Sequence, residues 1–412
     1  MASESGKRNI VIIGGGIIGS TTAYFLSHHP SFNRERDSIT LLEATEIAGG
    51  ASGKAGGLLA LWAYPECIVP LSYRLHKELS DKHNGPERWD YRALHSGELN
   101  AAVSSNPASK PASTNPAISL QKRTPEALSH LQKANIPPDL DWITPSSILS
   151  YEEMGDPSNT AQVHPYKFTT SMAELAFGAG VKIVYGSATS IAQKDGAVES
   201  VMYTPRGTDG TETLRADTVI LTAGPWTRSI WPSAPIEALR AHSVVIEPPR
   251  PVSAYALFTS ISLPSSCSST SKISRRAKEK KIVTPEIYAR PDSTVYACGT
   301  GDTLIPLPTS TDLVQVDQAR CDEIIEQVSA ISPELANGIV KKRQACYLPN
   351  VEGGGGPLVG ETNVKGLFIG AGHTCWGIQN APGTACVLSE MIWEGVVRSA
   401  GCAELDPRGV GL

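Results

Sequence analysis

"NIVIIGGGIIGSTTAYFL", residues 9–26, decides the fold. Its first five residues are a short apolar run of the kind that forms a parallel strand buried on both faces. Gly14, Gly16 and Gly19 follow at G-x-G-x-x-G spacing, and "STTAYFLSHH" then carries apolar residues at helical intervals. Each glycine has a separate physical task. Gly14 permits the tight turn, Gly16 lets a pyrophosphate approach the backbone, and Gly19 lets helix and strand pack closely. The N–H groups and positive dipole end of the helix face the phosphates. A second apolar run, "SITLLE", ends at Glu43, an acid placed to accept hydrogen bonds from both ribose hydroxyls of an adenosine. Strand, glycine turn, helix, strand and acid in this order predict a dinucleotide-binding βαβ unit. The alternative is a glycine-rich turn with a surface Glu.

The residues after Glu43 bear on which dinucleotide. "ATEIAGGASGKAGGLLA" is a loop of small side chains, suited to a pyrophosphate and ribityl chain lying along backbone amides, which favours FAD over a nicotinamide cofactor. In it Ser52 would meet a phosphate oxygen, Lys54 would sit over phosphate or flavin, and Gly56 and Gly57 would allow close approach to the ring. A flexible loop is the alternative. "GVKIVYGSATSIA" (180–192) is expected to be a strand and turn. "ADTVILTAGPWTRSI" (216–230) is expected to be a buried strand ending at Ala223–Gly224. Trp226 either covers the cofactor or packs into the core.

A last strand and a last helix are expected in "GLFIGAGHTCWGIQNAPG" and "APGTACVLSEMIWEGVV", with the Pro of the second segment opening the helix. The helix N-terminus would point at whatever lies over Gly370–Gly372. There a helix dipole and free N–H groups stabilise negative charge, as on the pyrimidine end of a reduced flavin. The glycines would be required because a flat ring leaves no room for side chains.

The chain as a whole sets limits. At 412 residues it exceeds one simple core, so two domains are expected. A formal charge of -5 gives no basic excess to neutralise phosphates and argues against a nucleic-acid partner. The eight cysteines, at 67, 267, 298, 321, 346, 375, 386 and 402, form no C-x-x-C pair and suggest reduced thiols and no metal site. A strand candidate so near the N-terminus leaves no room for a signal peptide. No run is long and apolar enough to span a membrane, and "RGVGL" carries no targeting signal. The cytoplasm is the expected location.

Seven stretches taken together resemble the FAD-dependent D-amino-acid oxidase, glycine oxidase and sarcosine oxidase superfamily. They are "IVIIGGGIIGSTTAYFL", "GGASGKAGGLL", "VHPYKFTTSMAELA", "VILTAGPWT", "IYARPDSTVYACG", "QACYLPN" and "GLFIGAGHTCWGIQNAPGTACVLSE", in family order from first strand to last helix. The "GHTCWGI…APGT" version looks most like a eukaryotic branch of poorly assigned FAD oxidoreductases. The resemblance implies an α/β plus β fold: a discontinuous Rossmann-like FAD-binding domain (1–65, 155–235 and 345–412) and a mainly antiparallel-sheet substrate domain (66–154 and 236–344). Two Ser-rich segments, 101–117 and 259–281, are expected to be excursions, either solvated loops or a partner site.

The implied chemistry is oxidation of a C–N bond in a small amine or amino acid by hydride transfer to flavin, with dioxygen the acceptor and an imine and hydrogen peroxide the products. A dehydrogenase using another acceptor, and a flavin-stabilised interaction protein, are the alternatives. Expected cofactor contacts on this resemblance are Gly14, Gly16, Ile17, Ile18, Gly19 and Glu43 from the βαβ unit. The following loop adds Ala51, Ser52, Lys54, Gly56, Gly57 and Leu58, and the next two strands add Ala188, Ala223, Gly224 and Trp226. The C-terminal segments add Cys346, Gly370, Gly372, His373, Gly377 and Ile378. His373 matches the histidine beside the flavin in the sarcosine oxidase branch and serves flavin, substrate or only its own turn. Trp376, Tyr347 and Tyr288 are the expected pocket aromatics. Cys346 falls where some relatives bond the flavin covalently; a plain buried thiol with non-covalent FAD is the preferred expectation. Many members carry an Arg before the Pro of the "QACYLP" segment to pair with a substrate carboxylate. This chain has Leu348, which shifts the expected substrate toward an amine or a less polar molecule unless another arginine, such as Arg290, serves.

Overall fold

The computed structural model describes residues 7–103, 135–264 and 281–412. Five parallel strands form the centre of an eight-stranded sheet, in the order Lys182–Lys194, Ser38–Glu43, Asn9–Ile13, Thr218–Leu221, Leu367–Ala371. Leu358–Glu361 closes one edge antiparallel, and the antiparallel strands Ala197–Pro205 and Glu212–Arg215 extend the other. The period of two divides the first strand. Ile10 and Ile12 pack under the helices Ile17–His28, Val69–His83, Pro165–Gly178 and Gly377–Glu394, whereas Val11 and Ile13 meet Val201, Tyr203 and Ile236 on the opposite face. Burial on both faces is why this strand has no polar residue between Ile10 and Ile13.

A second sheet runs Ile339–Val351, Ile236–Glu247, Val295–Cys298, Glu286–Ala289, Tyr255–Leu263, His95–Ala102, Ile148–Gly155. All its neighbours pair antiparallel except Tyr255–Leu263 with His95–Ala102. The helix Gln318–Ser329 covers one face, burying Cys321, Ile324 and Val328 against Val244, Ile246, Leu257 and Val295. The other face turns toward the first sheet. The fold is therefore α/β plus β, with a mainly antiparallel second sheet. The strand Ile339–Val351 crosses the expected boundary at residue 345 and stays paired with Ile236–Glu247 to its end.

Three local expectations change. The segment 180–192 is not a strand and turn: Lys182–Lys194 is one strand, and a register shift between Ala188 and Ser190 takes up the irregularity. Pro382 does not open the last helix but lies inside it, since the helix begins at Gly377. A proline has no N–H for the carbonyl four residues back. Here the Ile378 carbonyl bonds His76 Nε2 instead, at 2.9 Å, and the helix continues. Of the two Ser-rich excursions, 101–102 and 259–263 are strand, and so is 281. Residues 104–117 and 265–280 lie outside the described residues.

Candidate FAD site

Gly14 has φ +109, and a Cβ on it would meet the Thr222 carbonyl oxygen at 2.5 Å. This left-handed turn delivers the chain from Ile13 to the helix at Ile17. Gly19 packs the helix onto the turn: a Cβ there would lie 1.9 Å from the Gly14 oxygen and 2.6 Å from Thr222 Oγ1. Gly16 has ordinary dihedrals (φ -71), and a Cβ would approach only Ser52 Oγ, at 3.1 Å. The helix start carries no cap from its own N-cap residue; Ile17 N–H donates to Ser52 Oγ at 2.9 Å. Glu43 is buried at the end of its strand. It accepts from the Gly15 N–H at 2.6 Å and the Thr45 N–H at 2.8 Å, while burial raises its carboxyl pKa.

These groups open onto one trench. Gly14, Gly16, Ile17, Ile18 and Glu43 line its first part, with Ala51 and Ser52 beside them. Ala188, Ala223, Gly224 and Trp226 form the opposite wall, and Gly370, His373, Gly377 and Ile378 the far end. The last helix starts there, again without a cap from its own N-cap side chain, so two helix N-termini converge on the trench. The sequence reading missed the loop Thr309–Thr311, which comes from between the strands of the second sheet and borders the trench. Thr45 and Thr311 join their hydroxyls there, and Trp226 Nε1 donates to the Pro308 carbonyl at 2.6 Å. Trp226 thus both lines the trench and ties the two sheets together. Pro349 and Cys375 were also missed as wall residues, while Leu348, expected at the substrate end, does line the wall. Their neighbours Cys346 and Trp376 had been singled out instead.

Several expected contacts lie elsewhere. Gly19 is behind the turn, as its packing task requires. Gly56 admits an aromatic ring, but that of Tyr288: a Cβ would sit 2.1 Å from it. Gly57 has φ +90 and turns the chain past the Val163 carbonyl. Leu58 packs with Tyr288, Tyr296 and Trp376 under the second sheet. The Lys54 carbonyl accepts from Gln344 Nε2 at 3.2 Å, and burial lowers the Lys54 ammonium pKa. Gly370 borders the trench, yet its missing Cβ leaves room for Ile18, Leu388 and Thr384 rather than for a ring. At Gly372 the neighbour is Val351. Tyr347 donates to the Ile305 and Pro306 carbonyls at 3.1 Å, steadying the loop before Thr309. Cys346 is buried away from the trench wall, and burial pushes its thiol up to about 11.

His373 Nε2 lies 3.0 Å from Thr384 Oγ1, and burial brings its pKa down to about 3. His76, bonded to Ile378, is lowered to about 4, again by burial. Both imidazoles are neutral in the folded protein near neutrality. Between the ordinary 6.5 and these lowered values the unfolded chain takes up protons that the folded chain refuses. Their contribution to stability is therefore complete above about pH 6.5 and lost as pH falls, by about 1.4 kcal/mol per pH unit for each histidine. Thermal melts should show the melting temperature dropping from pH 7 to pH 5. His76→Gln, which keeps a donor for Ile378, should reduce that slope.

A parallel sheet whose glycine turn, terminal acid and two helix N-termini face one trench defines a dinucleotide-binding protein. More particularly, the chain belongs to the DAO family of FAD dependent oxidoreductases, whose model matches residues 9–391. A Saccharomyces cerevisiae protein named "Putative oxidoreductase TDA3" is 35% identical over 515 aligned positions, covering 98% of this chain and 95% of that one. The fold matches glycine oxidase from Bacillus cereus (TM-score 0.67, 17% identity, 95% of this chain and 96% of that chain). It also matches L-proline dehydrogenase from P. horikoshii (TM-score 0.67, 16% identity, 98% and 99%). FAD is the cofactor. No helix among the described residues is long and apolar enough to cross a membrane.

Proposed function

We propose that this protein oxidises a C–N bond of a small amine or amino-acid-like molecule, passes the electrons to dioxygen, and holds its FAD without a covalent bond. The observation that carries this is the course of the trench. It runs from Glu43 past Gly16 and Ser52 to Ala55, Leu348 and Cys375, where the second sheet meets the first. Bound along it, FAD supplies a hydride acceptor for the carbon beside nitrogen, giving an imine that water hydrolyses.

The protein's own part is placement. Glu43 holds the adenosine end, the glycine turn and the N-terminus of Ile17–His28 hold the pyrophosphate, and Gly377–Ile378 offer N–H groups at the other end. Neutral His373, fixed by Thr384, is a hydrogen-bonding wall and not a cation. Apolar Leu348 stands where a carboxylate-binding arginine would be expected, which favours an amine over a free amino acid. Cys346, a buried thiol off the trench wall, supports non-covalent attachment.

The purified protein should be yellow, and denaturation should release the colour into solution. Turnover on a panel of primary and secondary amines in air should release hydrogen peroxide. Turnover that reduces an artificial dye but yields no peroxide would replace dioxygen with another acceptor. A colourless protein that FAD cannot reconstitute would remove the reading altogether.

A further inference from the structure

The face of the second sheet that looks toward the trench is not apolar at its centre. Glu286 lies opposite Phe258 on one neighbouring strand and Cys298 on the other, and Tyr288, two residues on, lies opposite Tyr296. Residues two apart share a face, so these five form one patch. Aromatic rings continue from it without a break. Tyr296 stacks on Tyr288 (centroids 5.8 Å apart), Tyr288 meets Phe258 edge-on (6.0 Å), and Phe258 meets Trp62 (5.7 Å). Trp62 then meets Trp376 (5.5 Å), and Trp376 meets Tyr64 (5.9 Å). Tyr64 reaches Thr374 and Cys375, which line the trench. The chain of rings therefore leads from Glu286 to the trench end where the two sheets meet.

Among the described residues, Glu286 has only neutral donors. Its carboxylate accepts from the Tyr288 hydroxyl and, at 3.8 Å, from Cys298 Sγ. No ion pair among the described residues includes it, although its surroundings are dry enough to raise its pKa. An acid in such a place lacks the positive partner that would stabilise its charge. Ring faces add negative potential, which attracts a cation. Arg290, on the same strand, cannot be that partner. It stands four residues away, about 13 Å along the strand. Its Nη2 donates to the Ala55 carbonyl at 2.7 Å, and its guanidinium lies 5.1 Å from the centre of the Tyr296 ring. Only 7% of Arg290 is exposed, whereas Glu286 keeps intermediate exposure.

Building on the proposed amine oxidation, we infer that Glu286 receives the positively charged nitrogen of the substrate and takes up its proton, so that the hydride leaves from the neutral amine, and that the substrate is an amine without a carboxylate. Phe258 and Tyr288 flank the acid, and Trp62 and Trp376 carry the run of rings on toward the trench. The acid and the rings replace the arginine that would select an amino acid, so the pocket's preference is reversed in sign.

Three probes of similar bulk and different charge test this on the holoenzyme: tetramethylammonium, tert-butanol and pivalate, titrated against flavin absorbance and tryptophan fluorescence. Tetramethylammonium should bind about tenfold or more tighter than either other probe. Glu286→Gln should remove that preference and leave the tert-butanol affinity unchanged; Glu286→Asp should keep it. Tighter binding of pivalate, no binding of the cation, or an unaltered preference in Glu286→Gln would overturn the inference. Should Glu286→Gln fail to fold, the three-probe comparison on the unaltered protein decides alone. Flavin content, read from the same spectra, separates this outcome from the flavin reading: a yellow protein without cation preference sinks only the anchor, and a colourless one sinks the flavin proposal.

Discussion

Gly16→Val is expected to give a folded protein without flavin. The backbone at Gly16 is unstrained for any residue, and a Cβ meets only the end of the Ser52 side chain, at 3.1 Å. The fold can therefore accept the substitution. The site cannot, because the two γ-methyl groups would fill the space beside the Ile17 N–H, where a pyrophosphate must approach the backbone. Losing two charge-assisted hydrogen bonds, at about 1.5–3 kcal/mol each, would weaken binding by a factor of about 100 or more. Flavin absorbance per mole of purified protein measures retention, and a melt of the flavin-free forms measures the fold. A variant as yellow as the parent would place the phosphates somewhere other than over Gly16.

Gly19→Ala, a smaller change in the same helix, should damage the fold itself. Its Cβ would lie 1.9 Å from the Gly14 oxygen and 2.6 Å from Thr222 Oγ1. The first belongs to the turn that joins the first strand to the helix and the second to the end of the neighbouring strand Thr218–Leu221, and a backbone oxygen cannot swing aside as a side chain can. The helix must move off the sheet, at a cost of about 3 kcal/mol or more, the upper end of overpacking effects. Melts of the flavin-free protein should show a clear fall that Gly178→Ala, a control with open space around it, does not share. Because the helix N-terminus lines the trench, FAD affinity should fall too, but as a consequence of the shift. Unchanged melting in Gly19→Ala would mean that strand and helix are not as closely packed as the turn requires.

The contrast between these two glycines shows how far the sequence reaches. Their different tasks follow from spacing alone, because a strand, a three-residue turn and a helix leave little geometric choice. Glu43 is legible for the same reason: the end of the second strand must fall beside the glycine turn, and its carboxylate meets the Gly15 N–H. The C-terminal turn was harder. The short 3-10 turn Thr374–Trp376 sends His373 to the trench and Trp376 to the aromatic cluster, three residues apart on different sides of the junction. No periodicity in "GHTCWGI" announces that division. Pro382 misled for a related reason, since the donor that relieves the Ile378 carbonyl is His76, on another helix.

By itself the sequence determined the parallel strands, the glycine turn, the flavin family and the place of Glu43 at the end of the second strand, because each depends on residues a few positions apart. Only the tertiary structure decided which neighbour each small residue was small for. Gly56 makes room for Tyr288, Gly370 for Ile18 and Leu388, and Gly372 for Val351. It also brought Thr309–Thr311 to the trench and set Glu286 at one end of a run of six rings drawn from four separate stretches of chain. The physical reason is that close contact and desolvation arise between surfaces distant in the chain, and neither leaves a mark in local spacing.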